Sequence, residues 1–314
     1  GLWTAEMISY LNDNFNKAIE LHIVARDFDK FKKIAPHLFE KKYINFIRSD
    51  IRSLNELPKD TNFIIHAASN PDNRIYSSTP FAAITAISDG TSSVLKATER
   101  LANLKMFLNF SSGNVYGKQP DELNKIPESF IGTFSSNELN SVYAEAKRFT
   151  EALLTAARNE LRLPVVNIRP FSFLGPFQSL DAPWAANNFI NDALNERPIK
   201  ILGDGKTIRT IMYGADAAIW ILTFLTKSQS GSVYNMGSDD GKNVYEIAKI
   251  VSSCFKPEPD VLLNCSLAGN IPNSKLIPDI EKAKKDFKLD IYTDVKSSVE
   301  RAVIWFSKII SKVK

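Results

Sequence analysis

Hydrophobic residues in the first 170 positions of the chain form short runs separated by longer amphipathic stretches. The runs are four or five residues long and rich in β-branched and aromatic side chains, which is typical of buried strands. They are Leu21–Ala25, Ile44–Ile47, Phe63–Ala67, Met106–Phe110 and Val165–Ile168. Strands that alternate with helices indicate βαβ units and a parallel sheet covered on both faces. The pattern therefore predicts an α/β fold with a doubly wound parallel sheet.

Three stretches have the apolar spacing of an amphipathic helix, namely residues 3–12, 79–104 and 140–161. In the last stretch apolar side chains recur every three or four positions, and Asn140 or Ser141 is a candidate N-cap. Beyond residue 172, proline, glycine and aromatic residues punctuate shorter elements. This change predicts a second, smaller and more irregular lobe that caps the carboxyl edge of the sheet.

Composition narrows the class of protein. The chain has 314 residues, of which 44% are hydrophobic and 24% are charged, typical of a soluble globular protein of about two domains. The net charge of +4 is mixed along the sequence, and the C-terminal lysines are those of a solvated helix face, so no nucleic-acid partner is predicted. No apolar run approaches the ~20 residues that span a bilayer, and no signal-peptide pattern occurs. We expect a cytoplasmic protein without membrane contact.

Cysteine and histidine usage indicates neither a disulfide framework nor a metal site. The two cysteines are Cys254 and Cys265, and the three histidines are scattered. None of them has the spacing of a zinc site.

A tyrosine and a lysine four residues apart carry the candidate chemistry. Tyr143 and Lys147 lie on one face of the predicted helix 140–161. About 30 residues earlier, the strand Met106–Phe110 runs into Ser111 and Ser112, and ligands bind at such carboxyl ends in open α/β sheets. Taken alone, this spacing more often reflects a Tyr–Lys pair on the surface of a helix than a catalytic pair. The serine-rich strand end is what makes a catalytic site the stronger interpretation.

Several motifs, in their order along nearly the whole chain, resemble the extended short-chain dehydrogenase/reductases, specifically the NAD-dependent nucleotide-sugar epimerase/dehydratase group. They are HAAS (66–69), SSGNVYG (111–117), YAEAK (143–147), IRPFSFLGP (168–176), GDGKTIRTIMYGADAA (203–218) and VYNMGS (233–238). The resemblance implies a Rossmann-like dinucleotide-binding domain over residues 1–171, which parts of 212–236 rejoin. It also implies an interleaved α/β substrate-binding lobe over residues 172–314.

The resemblance assigns a role to each motif residue. Tyr143 is implied as the catalytic base and acid, Lys147 as the residue that binds the nicotinamide ribose and lowers the tyrosine pKa, and Ser112 as a partner of the reacting hydroxyl. The cofactor-binding set is implied to be Gly1, Arg26, Asp50, Ala67, Ala68, Ser69, Tyr143 and Lys147. The substrate-binding set is implied to be Ser112, Asn114, Asn188 and Arg209.

Tyr143 can act as a base near neutral pH only if its pKa is lowered. A free tyrosine has a pKa of ~10, so a base active near pH 7 needs a shift of ~3 units, or ~4 kcal/mol. A cation ~4 Å away at an effective dielectric of ~20 supplies ~4 kcal/mol. We therefore expect Lys147 and a positively charged nicotinamide to lower the pKa of Tyr143, and Ser112 to orient the substrate hydroxyl.

Arg209 matches the arginine that holds the sugar-nucleotide diphosphate in the family. A guanidinium group suits this task because its planar fork binds phosphate oxygens bidentately. A structural salt bridge is the alternative interpretation. Asn187 and Asn188 are candidate replacements for polar substrate contacts, or else helix caps or surface amides.

The sequence contains only part of the family's dinucleotide-binding motif. The family begins with a strand and a glycine-rich turn that binds the pyrophosphate, and Gly1 resembles the middle glycine of that turn. We expect the first strand and first glycine to be missing from the sequence as it stands. Ala25 occupies the position of the acidic residue that selects NAD, and Arg26 favours NADP, whereas NAD is usual among sugar epimerases. The cofactor is predicted as NAD or NADP, with Asp50 as an adenine contact or an ordinary turn residue.

The reaction is predicted from acidic residues that this sequence lacks before its VYG motif. By resemblance, 4,6-dehydratases carry an Asp-Glu pair before the VYG motif, and decarboxylases a glutamate two residues before its tyrosine. Here these positions are Gly113 and Asn114, which transfer no proton at neutral pH. We predict a nucleotide-sugar 4-epimerase acting through a 4-keto intermediate in surface polysaccharide or deoxysugar biosynthesis. A 4-keto reductase or 4,6-dehydratase is the first alternative, and a non-catalytic dinucleotide-binding protein the second.

Two further expectations come from the resemblance. Ser172 and Ile87 replace asparagines of the family pattern, so the sugar and the nucleotide base stay open. Helices 79–104 and 140–161 are expected to pair with their copies in a homodimer through a four-helix interface. The alternative is a monomer that buries the same apolar stripes.

Overall fold

The computed structural model describes residues 1–70, 72–133, 135–264 and 274–313. The chain divides into two compact units. The first contains residues 1–115, 135–169 and 218–233, and the second contains residues 116–134, 170–217 and 234–314. Cys254 is a free thiol, whereas Cys265 lies outside the described residues.

The strands of the described ranges begin and end as follows: β1 Leu21–Ala25, β2 Ile44–Arg48, β3 Phe63–His66, β4 Met106–Phe110, β5 Val165–Pro170, β6 Phe173–Leu174, β7 Ile199–Leu202, β8 Ile208–Thr210, β9 Met212–Tyr213, β10 Val233–Met236, β11 Gly241–Asn243 and β12 Val261–Asn264. The helices are α1 Leu2–Phe15, α2 Asp29–Ile34, α3 Pro36–Phe39, α4 Asn73–Ser78, α5 Pro80–Thr98, α6 Val142–Glu160, α7 Ala185–Leu194, α8 Gly214–Lys227, α9 Val244–Ser252, α10 Glu281–Phe287 and α11 Val295–Val313.

Parallel strands form the framework of the first unit. A four-stranded sheet has the order β10-β5-β4-β3, in which β3, β4 and β5 run parallel. A separate parallel pair joins β1 to β2, with Leu21 opposite Ile44 and Ala25 opposite Arg48. Within the described ranges β1 and β3 therefore each have one hydrogen-bonded neighbour, and the predicted sheet is present as two pieces.

The core of the first unit lies between the four-stranded sheet and the helices α5 and α6. Phe107 of β4 is fully buried there, together with Leu154 of α6 and Val94 of α5. The apolar spacing of α5 and α6 explains why both helices lie on the sheet, since burial of an apolar stripe stabilises a helix more than its propensity does.

The start of α6 differs in detail from the prediction. Ser141 stands at the N-cap position, but its hydroxyl donates to the carbonyl oxygen of Glu138 at 2.7 Å and caps no helical N–H group. The carbonyl acceptor is one residue before the preceding 3₁₀ turn, Leu139–Ser141. The serine therefore closes that turn, and the helix begins at Val142.

The second unit is built from short strand pairs and helices around its own core. Strands β7 and β12 are parallel, β6 and β9 are parallel, and β8 and β11 are antiparallel. The core contains side chains of α7, α9 and α11, among them Ile190, Val251 and Val299. A capping box between Asn243 and Glu246 fixes the start of α9.

Residues 116–134 lie in the second unit, whereas the sequence interpretation placed them in the first. Ile126 pairs with the segment around Pro278, because its N–H group donates to Ile277 at 2.8 Å and its carbonyl accepts from Asp279 at 2.8 Å. Such pairings between distant segments are not visible in a local sequence pattern. No helix of the described residues is long and apolar enough to cross a membrane.

Candidate active site

Three hydroxyl groups meet at the carboxyl ends of β3 and β4. Tyr143 stands in the first turn of α6, and its phenol shares hydrogen bonds with the side chains of Ser112 and Ser69. Ser112 follows β4, and Ser69 follows β3, which is the parallel neighbour of β4. Adjacent parallel strands end at the same edge of a sheet, so the two serines reach one phenol.

Lys147 lies one helical turn beyond Tyr143 and is almost completely buried, with 4% of its surface exposed. Its ammonium nitrogen is 5.9 Å from the centre of the Tyr143 ring and donates a hydrogen bond to the carbonyl oxygen of Phe110 at 2.7 Å. Burial lowers the pKa of Lys147 to about 8, and the nearby Glu151 carboxylate opposes that decrease. The site therefore contains a cation near neutral pH.

Burial governs the pKa of Tyr143 in the protein alone. It raises the pKa of the Tyr143 phenol, and the hydrogen bonds of Ser112 and Ser69 oppose the increase. The ammonium group of Lys147 donates to the Phe110 carbonyl oxygen, and removal of water disfavours the phenolate, so Tyr143 carries its proton at neutral pH. The expected decrease, which needs a nicotinamide cation as well as Lys147, stays a prediction.

His66, at the end of β3, stays neutral. Its Nε2 atom lies 3.0 Å from Thr91 Oγ1, and the Thr91 hydroxyl donates to Ile87 at 2.7 Å. Because that hydroxyl proton is already engaged, His66 Nε2 is the donor towards Thr91. Burial, and to a lesser degree the charge of Lys147, lower the pKa of His66 to about 3. His66 therefore orders the site without exchanging protons near pH 7.

Glu151 and Arg169 form an ion pair one turn beyond Lys147. Arg169 donates from Nε to Glu151 Oε1 at 2.9 Å and from Nη2 to Oε2 at 2.7 Å, and both side chains are 14% exposed. A bidentate pair with little exposure fixes α6 to β5. The sequence interpretation missed this pair, although the four-residue spacing from Lys147 to Glu151 was a usable signal.

The region expected to bind the adenosine lies at the ends of β1 and β2. Arg26 is exposed directly after β1, and Asp27 accepts from the N–H group of Asp29 at 2.8 Å. Asp50 receives hydrogen bonds from Arg52 Nε at 3.0 Å and Nη2 at 2.8 Å. Arg52, and more weakly Arg26, hold the pKa of Asp50 well below its usual range. Both carboxylates are thus engaged with their own chain, while Arg26 is available to an anion.

The residues at the end of β3 fit a nicotinamide dinucleotide. Ala67 and Ala68 are exposed and present no bulk beyond a methyl group. The Phe110 carbonyl takes one of the three N–H bonds of the Lys147 ammonium, so donors remain for ribose hydroxyls. Gly1 precedes α1, and its carbonyl oxygen accepts from Ala5 at 2.9 Å.

Gly113 and Asn114 occupy the positions at which, by the family resemblance, dehydratases and decarboxylases carry acidic residues. The Asn114 side chain is exposed, and its N–H group donates to Ser112 Oγ at 3.1 Å. The hydrogen bond fixes the Ser112 hydroxyl as an acceptor from the backbone. Its remaining proton is then directed to another acceptor.

In the second unit, Arg209 of β8 has only neutral partners among the described residues. Its Nη1 atom donates to the carbonyl oxygens of Ile208 at 2.8 Å and Ser274 at 3.2 Å, and Nη2 donates to Ser274 Oγ at 2.9 Å. Burial lowers the pKa of the guanidinium group, and no carboxylate of the described ranges pairs with it. This arrangement does not support the alternative of a structural salt bridge.

The two asparagines of α7, which share the same candidate roles in the sequence, differ in burial. Asn188 is exposed, whereas Asn187 is fully buried and donates to the Ser179 carbonyl at 3.2 Å. Asn187 Oδ1 has no partner within the described ranges. The rotation of α7 about its axis decides which amide faces inward. Two adjacent asparagines in the sequence do not reveal that rotation. The described residues contain no group of side chains suited to a metal ion.

Comparison with known proteins identifies the family. Residues 7–237 match the model of the NAD dependent epimerase/dehydratase family. The chain belongs to this family. The match confirms the sequence-based assignment and, through the family, the expected dinucleotide cofactor, which the family description gives as NAD.

Sequence relatives of this epimerase/dehydratase include decarboxylases. UDP-glucuronic acid decarboxylase 1 of Arabidopsis thaliana is 24% identical over 284 residues, which cover 90% of this chain. The chain spans 63% of that relative's length, less than two thirds. UDP-N-acetyl-alpha-D-glucosaminuronate decarboxylase of Bacillus cytotoxicus is 26% identical over 268 residues, covering 83% of this chain and 81% of the relative.

Solved structures of similar fold include 4-epimerases. UDP-glucose 4-epimerase of Thermotoga maritima, determined with UDP-glucose, has a TM-score of 0.83 at 19% identity and covers 99% of this chain and 97% of its own. UDP-glucuronic acid 4-epimerase of Bacillus cereus, determined with UDP-glucuronic acid and NAD, has a TM-score of 0.83 at 21% identity, covering 97% and 96%. These similarities confirm the predicted Rossmann-like α/β fold.

Proposed function

We propose that this protein is an NAD-dependent nucleotide-sugar 4-epimerase that acts through a 4-keto intermediate. The supporting observation is the cluster of Tyr143, Ser112 and Ser69 at the ends of β3 and β4, with the buried Lys147 one turn away. We further assign the dinucleotide to the first unit and the sugar nucleotide to the second.

The proposed chemistry separates a hydride from a proton. NAD, when bound, would supply a reversible acceptor for the hydride on sugar C4. The phenol oxygen of Tyr143 takes the proton of the C4 hydroxyl, which leaves a ketone at C4. After the sugar presents its other face, Tyr143 gives the proton back to the C4 oxygen. Ser112 holds the C4 oxygen in place, and the Lys147 cation stabilises the phenolate.

Activation of Tyr143 then depends on a second positive charge. Burial raises the pKa of the phenol, and Lys147 is 5.9 Å from the ring centre. A nicotinamide cation would bring a second charge into a site from which water is already excluded, where Coulomb interactions are strong. Oxidised cofactor would therefore make Tyr143 a better proton acceptor.

Epimerisation is favoured over elimination because of Gly113 and Asn114. Loss of water across C5 and C6 needs a positioned acid and base, as does loss of a carboxyl group followed by protonation. A glycine and an exposed amide transfer no proton at neutral pH. The decarboxylases among the sequence relatives make this the distinction to test first.

A 4-keto reductase is the second candidate. Arg26 is exposed at the end of β1, and both neighbouring carboxylates, Asp27 and Asp50, are engaged elsewhere. An arginine at that position accommodates a 2′-phosphate. A net reduction that consumes NADPH would fit this arrangement.

In the second unit, Arg209 is proposed to bind the diphosphate of the substrate. A partly buried guanidinium group with neutral partners lacks charge compensation among the described residues. A diphosphate would supply that compensation with bidentate hydrogen bonds.

The decisive test is a panel of UDP-, dTDP-, GDP- and CDP-sugars incubated in D2O, with products identified by NMR. A 4-epimerase yields a product inverted at C4 that contains no solvent deuterium, because the same hydride leaves and returns. Deuterium at C5 with loss of water would indicate a dehydratase, and release of CO2 a decarboxylase. A product formed only with added NADPH would indicate the reductase. If no sugar nucleotide reacts while NAD binds, the protein is a dinucleotide-binding module.

A further inference from the structure

A second tyrosine lies against the proposed catalytic one. The ring of Tyr76, on α4, has its centre 4.7 Å from that of Tyr143, with the planes inclined by 55°. Tyr76 is 6% exposed and belongs to a small apolar cluster with Ala83, Ile87 and Ala146. Tyr143 packs on that cluster, and its ring is in tilted contact with the ring of Tyr76.

The hydroxyl group of Tyr76 does not reach towards the site. It donates to the main-chain oxygen of Asn70 at 2.7 Å. Asn70 directly follows Ser69, whose side chain is hydrogen-bonded to the Tyr143 phenol. The contacts therefore close a ring from Tyr143 through Ser69 and Asn70 to Tyr76 and back to Tyr143.

Two features exclude Tyr76 as an alternative proton carrier. Its hydroxyl proton is engaged by a carbonyl oxygen that cannot pass it on. Burial, and secondarily the neighbouring Tyr143, raise the pKa of Tyr76 well above its usual value. Tyr76 is therefore neutral near pH 7, and only its shape and its hydrogen bond to Asn70 act on Tyr143.

We infer that Tyr76 is a positioning residue that holds both the ring of Tyr143 and its hydrogen-bond partner Ser69 in place. The inference rests on the proposed function, in which Tyr143 moves the proton. The ring contact restricts the rotation of the Tyr143 side chain, and the hydrogen bond to Asn70 fixes the segment that carries Ser69. A phenol displaced by about 1 Å from the reacting oxygen loses up to ~100-fold in rate.

Two variants separate the two contacts. Tyr76→Leu removes the ring and the hydrogen bond, whereas Tyr76→Phe keeps the ring and removes only the hydrogen bond. Tyr292→Leu, at an exposed tyrosine of the second unit, is the matched control. Because Tyr76→Phe retains nearly all of the buried volume, it reports on the site even if Tyr76→Leu does not fold.

The first measurement needs no turnover. In the full chain labelled with ¹³C at tyrosine Cζ, the signal of Tyr143 is assigned by its loss in Tyr143→Phe. With NAD bound, we expect its chemical shift and its titration midpoint to change in Tyr76→Leu, to change less in Tyr76→Phe and to stay constant in Tyr292→Leu. An unchanged Tyr143 signal in a folded Tyr76→Leu protein, or in both Tyr76 variants, would overturn the inference.

The second measurement uses UDP-glucose, UDP-glucuronic acid and UDP-N-acetylglucosamine as probes. We expect kcat to fall by ~10- to 100-fold in Tyr76→Leu and by a few-fold in Tyr76→Phe, with KM nearly unchanged, because positioning of the proton carrier is affected and binding is not. A wild-type protein inactive on all three sugars would count against the proposed substrates and leave the ¹³C result valid. Equal loss of kcat and of substrate affinity would indicate a purely structural role and contradict the inference.

Discussion

The ammonium group of Lys147 donates a hydrogen bond to the carbonyl oxygen of Phe110 at 2.7 Å and thereby joins α6 to the last residue of β4. The carbonyl belongs to the strand end that leads into Ser112. A buried cation thus sets the distance between the helix that carries the proposed proton carrier and the strand that carries its serine partner.

Burial of Lys147 predicts a pH-dependent stability. The pKa is 10.5 in the unfolded chain and about 8 in the folded protein, so the unfolded chain binds more protons between these values. The free energy of unfolding of the wild type should therefore rise, relative to Lys147→Met, from about pH 8 to pH 10.5 at up to ~1.4 kcal/mol per pH unit. Below pH 8 the difference should be constant.

Urea titrations at pH 7, 8, 9 and 10 measure this difference. Lys96→Met, at an exposed lysine of α5, is the control and should run parallel to the wild type. Parallel curves for Lys147→Met as well would show that the folded protein does not lower the lysine pKa.

Tyr143→Phe should abolish turnover and leave dinucleotide binding intact. The variant removes the oxygen that carries the proton, and general acid–base catalysis typically contributes about 10²- to 10⁴-fold. The ring contact with Tyr76 is kept, so the fold should be retained. Initial rates on the active sugar and calorimetric titration with NAD test the two halves of this expectation. Activity within a few-fold of the wild type would refute the role of Tyr143.

Arg209→Ala should weaken binding of the sugar nucleotide far more than binding of NAD. Loss of charged hydrogen bonds to phosphate corresponds to ~1.5–3 kcal/mol, or about 10- to 150-fold in Kd. Arg209→Lys should recover part of the affinity, because it restores the charge but not the planar fork. Arg197→Ala, which removes an exposed arginine paired with Asp192, is the control. Equal losses for both ligands would instead indicate a folding role for Arg209.

The Glu151–Arg169 pair should be worth more to stability than an exposed salt bridge. Removing one partner leaves an uncompensated charge with little access to water, so Glu151→Gln or Arg169→Met alone should cost about 3 kcal/mol. The double variant should cost less than the sum of the two single variants, as chemical denaturation in a double-mutant cycle would show. Additive losses would mean that the two side chains act independently.

Exposed aromatic side chains on α5 and α6 bear on the expected homodimer. Phe81 is 81% exposed and Phe149 is 49% exposed in the isolated chain. If α5 and α6 pair with their copies, Phe149→Glu should shift the protein towards monomer in analytical ultracentrifugation. Leu202→Glu, at an exposed position of the second unit, should not. A wild type that sediments as a monomer at all concentrations would dismiss the interface.

Much of the first unit was predictable because its elements have strong local patterns. The predicted strands Leu21–Ala25 and Met106–Phe110 agree with β1 and β4 to the residue. The predicted helix 140–161 corresponds to Val142–Glu160. In these segments the apolar spacing, the burial and the local propensity all favour the same structure.

The rest depended on contacts between distant residues. The ring contact of Tyr76 with Tyr143 joins positions 67 residues apart, and no period or motif relates them. The pKa of Tyr143 depends on burial of the phenol as well as on Lys147, and local spacing reveals neither that burial nor the 5.9 Å between the ammonium nitrogen and the ring centre. Local spacing identifies which groups meet, whereas their orientation and hydration follow only from three-dimensional packing.

The neutral imidazole of His66 has a consequence for how the protein responds to acidification. Its pKa of about 3 lies far below any physiological value, and Lys147 retains its charge below pH 8. A fall from pH 7 to 6 therefore leaves the charges of His66 and Lys147 nearly unchanged. Proton concentration in that range is not a signal that these residues can sense.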